Sequence, residues 1–172
     1  MDFKVFVSYS TKDLHQVSAL QSQLANTPIN VFVAEHAINP SQELASTIDK
    51  AINNCDLFIV LWSNNAKSSD WVSQEIGKAT ALKKTILPLV LDSGLNLPGF
   101  ISGLKYLPVF SDPENALVQA KEIVENEYKI KLDKAKSDKS QKDKSALALL
   151  GLSALVLWAV NRKPEEPPKI IY

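Results

Sequence analysis

Two residues of the segment Ser69–Ile76 have the types and the spacing for chemistry on a bound organic molecule. Trp71 offers an aromatic face, and Glu75 offers a carboxylate four positions later. In a helix this spacing puts both side chains on one face, one turn apart. A lone glutamate on a helix is usually a solvated surface residue, because charged side chains are rarely buried without a partner. The role of Glu75 therefore depends on what the rest of the chain places beside it.

The composition fits one ordinary globular domain with a remainder. The chain has 172 residues, 45% of them hydrophobic, and its 19 basic residues balance its 19 acidic ones. A balanced charge gives no general attraction to nucleic acid. The single cysteine, Cys55, excludes an internal disulfide, and no Cys/His cluster has the spacing of a zinc site. We therefore expect no metal and no nucleic-acid partner, in a reducing compartment such as the cytoplasm.

Short apolar runs alternate with helical patterns over the first 131 residues. Strands are predicted at five places, residues 4–10, 29–34, 56–63, 85–91 and 105–110. Helical patterns follow them at residues 14–24, 44–52, 70–83 and 114–131. The third strand is apolar on both faces, as a central parallel strand must be. This order predicts an α/β fold with a doubly wound, five-stranded parallel sheet.

Sheets of this kind bind ligands at the carboxyl ends of their strands. At that edge we expect Tyr9 and Ser10 after the first strand, the loop 35–40 after the second, Ser63 after the third and Asp92 after the fourth.

Three familiar chemistries of this fold class are excluded by missing residues. A phosphate-cradling loop needs clustered glycines after a strand, and the five glycines of the chain are scattered. A phosphoacceptor receiver needs acidic residues where this chain has Tyr9-Ser10 and Trp62-Ser63. A serine hydrolase of this class needs a Gly-x-Ser-x-Gly elbow, which the chain lacks.

What remains resembles the Toll/interleukin-1 receptor (TIR) domain over residues 3–128. The resemblance rests on the order and spacing of four segments: Val5–Ser10, Glu35–Ile52, Leu57–Ser63 and above all Asp70–Ile76. It implies a flavodoxin-like α/β fold. In the family members that cleave NAD, the helix after the third strand carries a Trp and, four residues later, the catalytic Glu.

The resemblance implies that Glu75 is the catalytic carboxylate and that Trp71 is a wall of the ribose and nicotinamide site. The other expected substrate-binding residues lie along the carboxyl edge of the sheet: Tyr9, Ser10, Asn39 and Ser63. NAD⁺ would then be the substrate, with no further cofactor. Whether water or the adenine attacks the ribose, giving linear or cyclic ADP-ribose, stays open.

A single carboxylate suits this reaction. Nicotinamide leaves a positively charged pyridinium as a neutral molecule, so no general acid is needed to protonate it. A glutamate near the ribose can bind its hydroxyls and stabilise the positive charge that develops on the sugar. The chemistry therefore requires neither a second acid nor a catalytic histidine.

The family resemblance also implies self-association and a role in defence or cell-death signalling, including innate immunity and antiviral defence. An alternative stays open, because some TIR domains dock with other TIR-domain proteins without chemistry. In that case the chain would be a non-catalytic, membrane-anchored adaptor.

The chain after residue 131 is predicted to form three pieces. These are a Lys-rich, flexible or partly helical linker at 132–145, an apolar helix at 146–161 and a Pro-rich tail at 162–172. Residues 146–160 carry no charge and would span about 22 Å as a helix, somewhat less than the roughly 30 Å of a bilayer core. Trp158 near one end, and Lys and Arg flanking both ends, favour a membrane span. A self-association helix and a core helix stay open.

The charge pattern predicts how such a span would be oriented. The Lys-rich linker outweighs Arg162 and Lys163, so the domain would stay in the cytoplasm and the chain would cross once. Without a span, the protein would be a soluble cytoplasmic one.

Overall fold

Five parallel strands form one sheet in the order β2-β1-β3-β4-β5. In the computed structural model the strands are β1 (Phe3–Ser8), β2 (Ile29–Val33), β3 (Leu57–Trp62), β4 (Thr85–Val90) and β5 (Leu107–Pro108). The structure describes residues 2–25, 27–33 and 42–160, without the side chains of residues 42–43 and 141–160. The order is that of the flavodoxin-like sheets. The predicted α/β fold with a five-stranded parallel sheet is confirmed.

The helices are α1 (Leu14–Leu24), α2 (Gln42–Asn54), α3 (Asn64–Lys67), α4 (Asp70–Ala81) and α5 (Pro113–Val160). Short 3-10 turns occur at Thr11–Asp13 and Gly99–Ile101. The sequence did not predict α3, because one turn of helix is too short to show a hydrophobic period.

The last helix is longer than the predicted residues 114–131. It runs from Pro113 to Val160 and so continues through the predicted linker at 132–145. After Pro113 this segment has no further proline and a single glycine, Gly151. It is rich in Lys, Ala and other strong helix formers. The predicted helix end near Lys131 is therefore wrong.

The chain divides into two compact units, residues 1–130 and 131–172. In the second unit, the exposed Lys136 and Asp133 form an ion pair at 3.9 Å.

Where side chains are described, no helix combines the length and the apolar character needed to cross a membrane. The predicted span at 146–161 is helical as far as Val160, but its side chains, Asn161 and the tail lie outside the described part. The span stays a prediction.

The sheet has a hydrophobic core on each face. The odd-numbered residues of β3 pack with α1 and α5, and the even-numbered ones pack with α2 and α4. Strand β1 follows the same alternation, since Val7 and Tyr9 belong to the first core and Phe6 to the second. Successive side chains of a strand point to opposite faces, so Ser8 lies on the side of α2 and α4.

Candidate functional site

Helix α4 places Glu75 against the sheet. Ser69 caps the helix, because its side chain accepts a hydrogen bond from the backbone N–H of Val72 at 3.4 Å. The face that α4 buries consists of positions three and four apart: Val72, Glu75, Ile76 and Ala79. Glu75 is only 3% exposed. It is therefore part of the packed face and not a solvated surface residue.

Ser8 holds this carboxylate. Its hydroxyl donates a hydrogen bond of 2.5 Å to Oε2 of Glu75, and both side chains are buried. A buried carboxylate needs such donors, because a charge removed from water without partners is costly. Sequence reasoning did not assign Ser8 to the site. The available signal was a hydroxyl two residues after Phe6, and so on the same face of β1.

Trp71 and Glu75 line one cleft between α2 and α4. Its volume is about 280 Å³, and its described lining is Ala45, Ile48, Asp49, Ile52, Trp71, Gln74, Glu75 and Lys78. Trp71 is 38% exposed, so part of its ring is accessible from the cleft. The structure thus brings together an aromatic face and a buried carboxylate, as their spacing predicts.

An ion pair bridges the cleft from helix to helix. Nζ of Lys78 on α4 contacts Oδ1 of Asp49 on α2; the lysine side chain is 27% exposed and the aspartate side chain 61%. Because the aspartate is mostly exposed, solvent screens the pair, and its contribution to stability is small. The cleft thus contains an aromatic ring, a buried carboxylate and an ammonium group that is paired with Asp49.

The residues predicted after β1 lie elsewhere. Tyr9 is buried in the core formed with α1 and α5. Ser10 caps the turn Thr11–Asp13, accepting a hydrogen bond from the backbone N–H of Lys12 at 3.5 Å. Neither belongs to the described lining of the Glu75 cleft. Asn39 lies outside the described residues. Substrate binding by these three residues stays a prediction.

Ser63 belongs to a separate buried network. Its hydroxyl donates to Oδ2 of Asp13 at 2.5 Å and accepts a hydrogen bond from the backbone N–H of Ala66 at 2.9 Å. Asn65 donates to the other oxygen of Asp13 at 2.7 Å. Asp13 is itself buried. The network connects the turn after β1 to helix α3 after β3, and the sequence did not predict this connection. Ser63 is not among the described residues that line the Glu75 cleft.

Asp92, which follows β4, forms hydrogen bonds at the same edge of the sheet. Its Oδ2 accepts from the backbone N–H of Asn64 at 2.7 Å and from the side chain of Asn64 at 2.9 Å. It thereby joins the ends of β3 and β4. Within the described part of the chain, no group of three or more His, Cys, Asp or Glu residues could hold a metal ion.

Comparison with known proteins decides the family. A family model for the TIR domain matches residues 5–123. The chain belongs to the TIR-domain family. In this TIR domain, α4 is the helix that follows β3 and α3 and carries Trp71 and Glu75. No curated protein matches the chain.

Solved structures similar to this TIR domain agree on the fold. The TIR domain of the Toll-related receptor TRR-2 from Hydra magnipapillata has a TM-score of 0.58 and 22% identity, over 72% of this chain and 97% of that one. A CMP N-glycosidase from Clostridium botulinum has a TM-score of 0.52 and 21% identity, over 68% and 98% of the two chains. A prokaryotic SEFIR domain reaches 0.53 at 16% identity, over 70% and 91%. At these identities the likeness concerns the fold alone.

Proposed function

We propose that this TIR domain cleaves the bond between nicotinamide and ribose in NAD⁺, with Glu75 as the catalytic carboxylate. One observation carries the proposal: Glu75 is buried, held by the Ser8 hydroxyl at 2.5 Å, and lines the same cleft as Trp71. A buried, positioned carboxylate is costly to keep for stability alone. Its place beside an accessible aromatic ring favours a role in binding and chemistry.

The reaction needs stabilisation of positive charge on the sugar. When the bond from C1′ of the ribose to the pyridinium nitrogen breaks, both electrons go to the nitrogen and nicotinamide leaves neutral. The ribose then carries oxocarbenium character, which an adjacent carboxylate stabilises. Water attacks C1′ and gives ADP-ribose and a proton; attack by the adenine would give the cyclic product.

The Ser8 hydrogen bond contributes pre-organisation. It fixes one oxygen of Glu75 before the substrate arrives, so the side chain does not reorganise when charge develops. Trp71 would bind the leaving group, because an indole face attracts a cationic ring such as a pyridinium. The ring and the carboxylate then act on adjoining parts of one substrate.

The fold is compatible with cleavage of an N-glycosidic bond. The Clostridium botulinum structure that shares it is a CMP N-glycosidase. Fold likeness alone does not establish an activity, so the proposal depends on Glu75 and its surroundings.

The proposal includes assembly and a membrane tether. The TIR domain self-associates, residues 146–161 anchor the protein by a single membrane pass, and the domain lies in the cytoplasm, acting in cell defence or cell death. Support comes from the family resemblance and from the uncharged stretch 146–160 with its Lys-rich flank. Confinement to a membrane raises the local concentration on which assembly depends.

The test is nicotinamide release from NAD⁺ by the purified protein, with and without residues 146–160, at concentrations that force assembly. Glu75→Gln removes the negative charge and keeps the size of the side chain. We expect release to fall by about a hundredfold or more. Glu122→Gln, the same change at an exposed position of α5, is the matched control and should leave release unchanged.

The alternative is an adaptor that recruits other TIR-domain proteins. One observation favours it: three large side chains near the turn Gly99–Ile101 are exposed, Phe100 at 69%, Leu104 at 40% and Tyr106 at 45%. Exposed apolar side chains mark an interface when they form one patch, and these three lie within seven consecutive residues. No nicotinamide release under any assembled condition would favour the adaptor over the enzyme.

A further inference from the structure

We infer that Lys78 is the phosphate-binding residue of the Glu75 cleft and selects nucleotides over nucleosides. The cleft would take its ligand in one direction along α4, with the cationic ring at Trp71, the ribose at Glu75 and the 5′-phosphate at Lys78. The inference rests on the proposed function and deepens it, because it assigns a substrate class to the cleft.

The order of the three side chains matches the order of the chemical groups in a nucleotide. Trp71, Glu75 and Lys78 are four and three residues apart and line the same cleft. Along the helix axis these steps are about 6 Å and about 4.5 Å. In a nucleotide the ring and the 5′-phosphate lie on either side of the ribose, each joined to it by a short link. A ribose at Glu75 therefore brings a phosphate within reach of the flexible Lys78 side chain.

Lys78 also supplies the positive charge of this cleft. It is the only Lys or Arg among the described residues of the lining. The sequence has no Lys or Arg from Asp13 to Asp49, so neither α1 nor the segment that leads into α2 can supply one. Lys50 lines a different cleft, with Cys55. The carboxylates Asp49 and Glu75 alone would repel a phosphate.

The ion pair with Asp49 shows that Lys78 already binds an oxyanion across the cleft. Phosphate can replace this carboxylate at small cost, because the pair is partly exposed and weak and the released Asp49, 61% exposed, is hydrated again. Lysine binds phosphate as a compact point charge. The pair would therefore hold the ammonium group in place until a nucleotide exchanges for Asp49.

The test compares two substrates that differ in the phosphate. Nicotinamide release is measured from NAD⁺ and from nicotinamide riboside, which has the same glycosidic bond and no phosphate. For Lys78→Gln we expect the KM for NAD⁺ to rise by about tenfold or more, as loss of a charged hydrogen bond implies, with the KM for the riboside unchanged. Lys78→Arg should retain most of the NAD⁺ affinity. Lys50→Gln, at an exposed position of α2 that lines the other cleft, is the matched control.

Other outcomes overturn the inference and leave the proposed function standing. One is an equal effect of Lys78→Gln on both substrates, or an effect on neither. Another is the same discrimination in Lys12→Gln, which would place the phosphate at the end of β1. Should the parent protein release nicotinamide from neither substrate, the proposed function fails. Calorimetric titration with NAD⁺ and the riboside then decides the inference, which is wrong unless Lys78→Gln weakens NAD⁺ binding selectively.

Discussion

The Ser8 hydroxyl donates a hydrogen bond of 2.5 Å to Oε2 of Glu75, although the two residues are 67 positions apart in the chain. One is the last residue of β1 and the other lies in the middle of α4. Since both are buried, the bond fixes where the carboxylate points into the cleft with Trp71. The geometry of this pair makes Glu75 a pre-organised group.

Replacing Ser8 by Ala should lower both stability and turnover. The change removes the serine donor from a buried carboxylate, which costs about 1–3 kcal/mol of unfolding free energy. It also lets Glu75 move, so we expect kcat for nicotinamide release to fall by about tenfold, as 1.4 kcal/mol of lost transition-state stabilisation implies. Urea unfolding and steady-state kinetics measure the two effects. Ser73→Ala, at an exposed position of α4, is the control; equal kinetics in both variants would contradict a positioning role.

Replacing Trp71 by Ala should weaken substrate binding more than it slows chemistry. The substitution removes the contact between the indole and the pyridinium ring of the substrate, and a cation–π contact of this kind contributes about 0.5–2 kcal/mol to binding. We expect KM for NAD⁺ to rise up to about thirtyfold, with a smaller rise for Trp71→Phe. Phe110→Ala removes an exposed aromatic ring that lines a different cleft and should not change KM. A fall in kcat at constant KM would place Trp71 outside the binding step.

Replacing Ser63 by Ala should destabilise the fold without altering KM. Its hydroxyl both donates to the buried Asp13 and caps α3, so we expect a loss of about 1–3 kcal/mol of unfolding free energy. Thermal or urea unfolding measures this loss, with the exposed Ser68→Ala as control. A raised KM at unchanged stability would instead support the substrate-binding role that the sequence predicts for Ser63.

The Cys55 thiol should react slowly in the native protein. Burial is the largest cause that raises the pKa of Cys55 above the ordinary value of 9.0, and the thiol donates to the carbonyl of Ile52 at 3.2 Å. The reactive form is the thiolate, so iodoacetamide should label native protein more slowly than urea-unfolded protein near pH 9. With one cysteine in the chain, mass spectrometry reports this site directly. Equal labelling rates would show that the thiol is accessible.

The same shift makes stability depend on pH. The folded-state pKa is raised, so the contribution of Cys55 is complete below the pKa of the unfolded thiol. It is lost as pH rises through the folded-state pKa, because the unfolded chain gives up the proton first. Unfolding free energy should therefore decrease above about pH 9, and less so in Cys55→Ala. An identical alkaline decrease in both proteins would assign it to other groups.

Local sequence patterns were enough to predict most of the fold. The apolar run Leu57–Trp62 predicted a central strand, and its two faces do pack against helices. Predictions failed where no hydrophobic period marks the structure. Helix α3 depends on a cap from Ser63, and the extent of α5 depends on helix propensity in a charged segment that looks like a linker.

By itself, the sequence determined the α/β alternation, the sheet class and the shared helix face of Trp71 and Glu75, because these follow from periods of two and 3.6 residues. Only the tertiary structure decided which side chains contact Glu75. The parallel pairing of β1 with β3 and the packing of α4 over them bring Ser8 to the carboxylate, while Ser63 donates its hydrogen bond to Asp13. Such contacts join residues dozens of positions apart, and no local period encodes them.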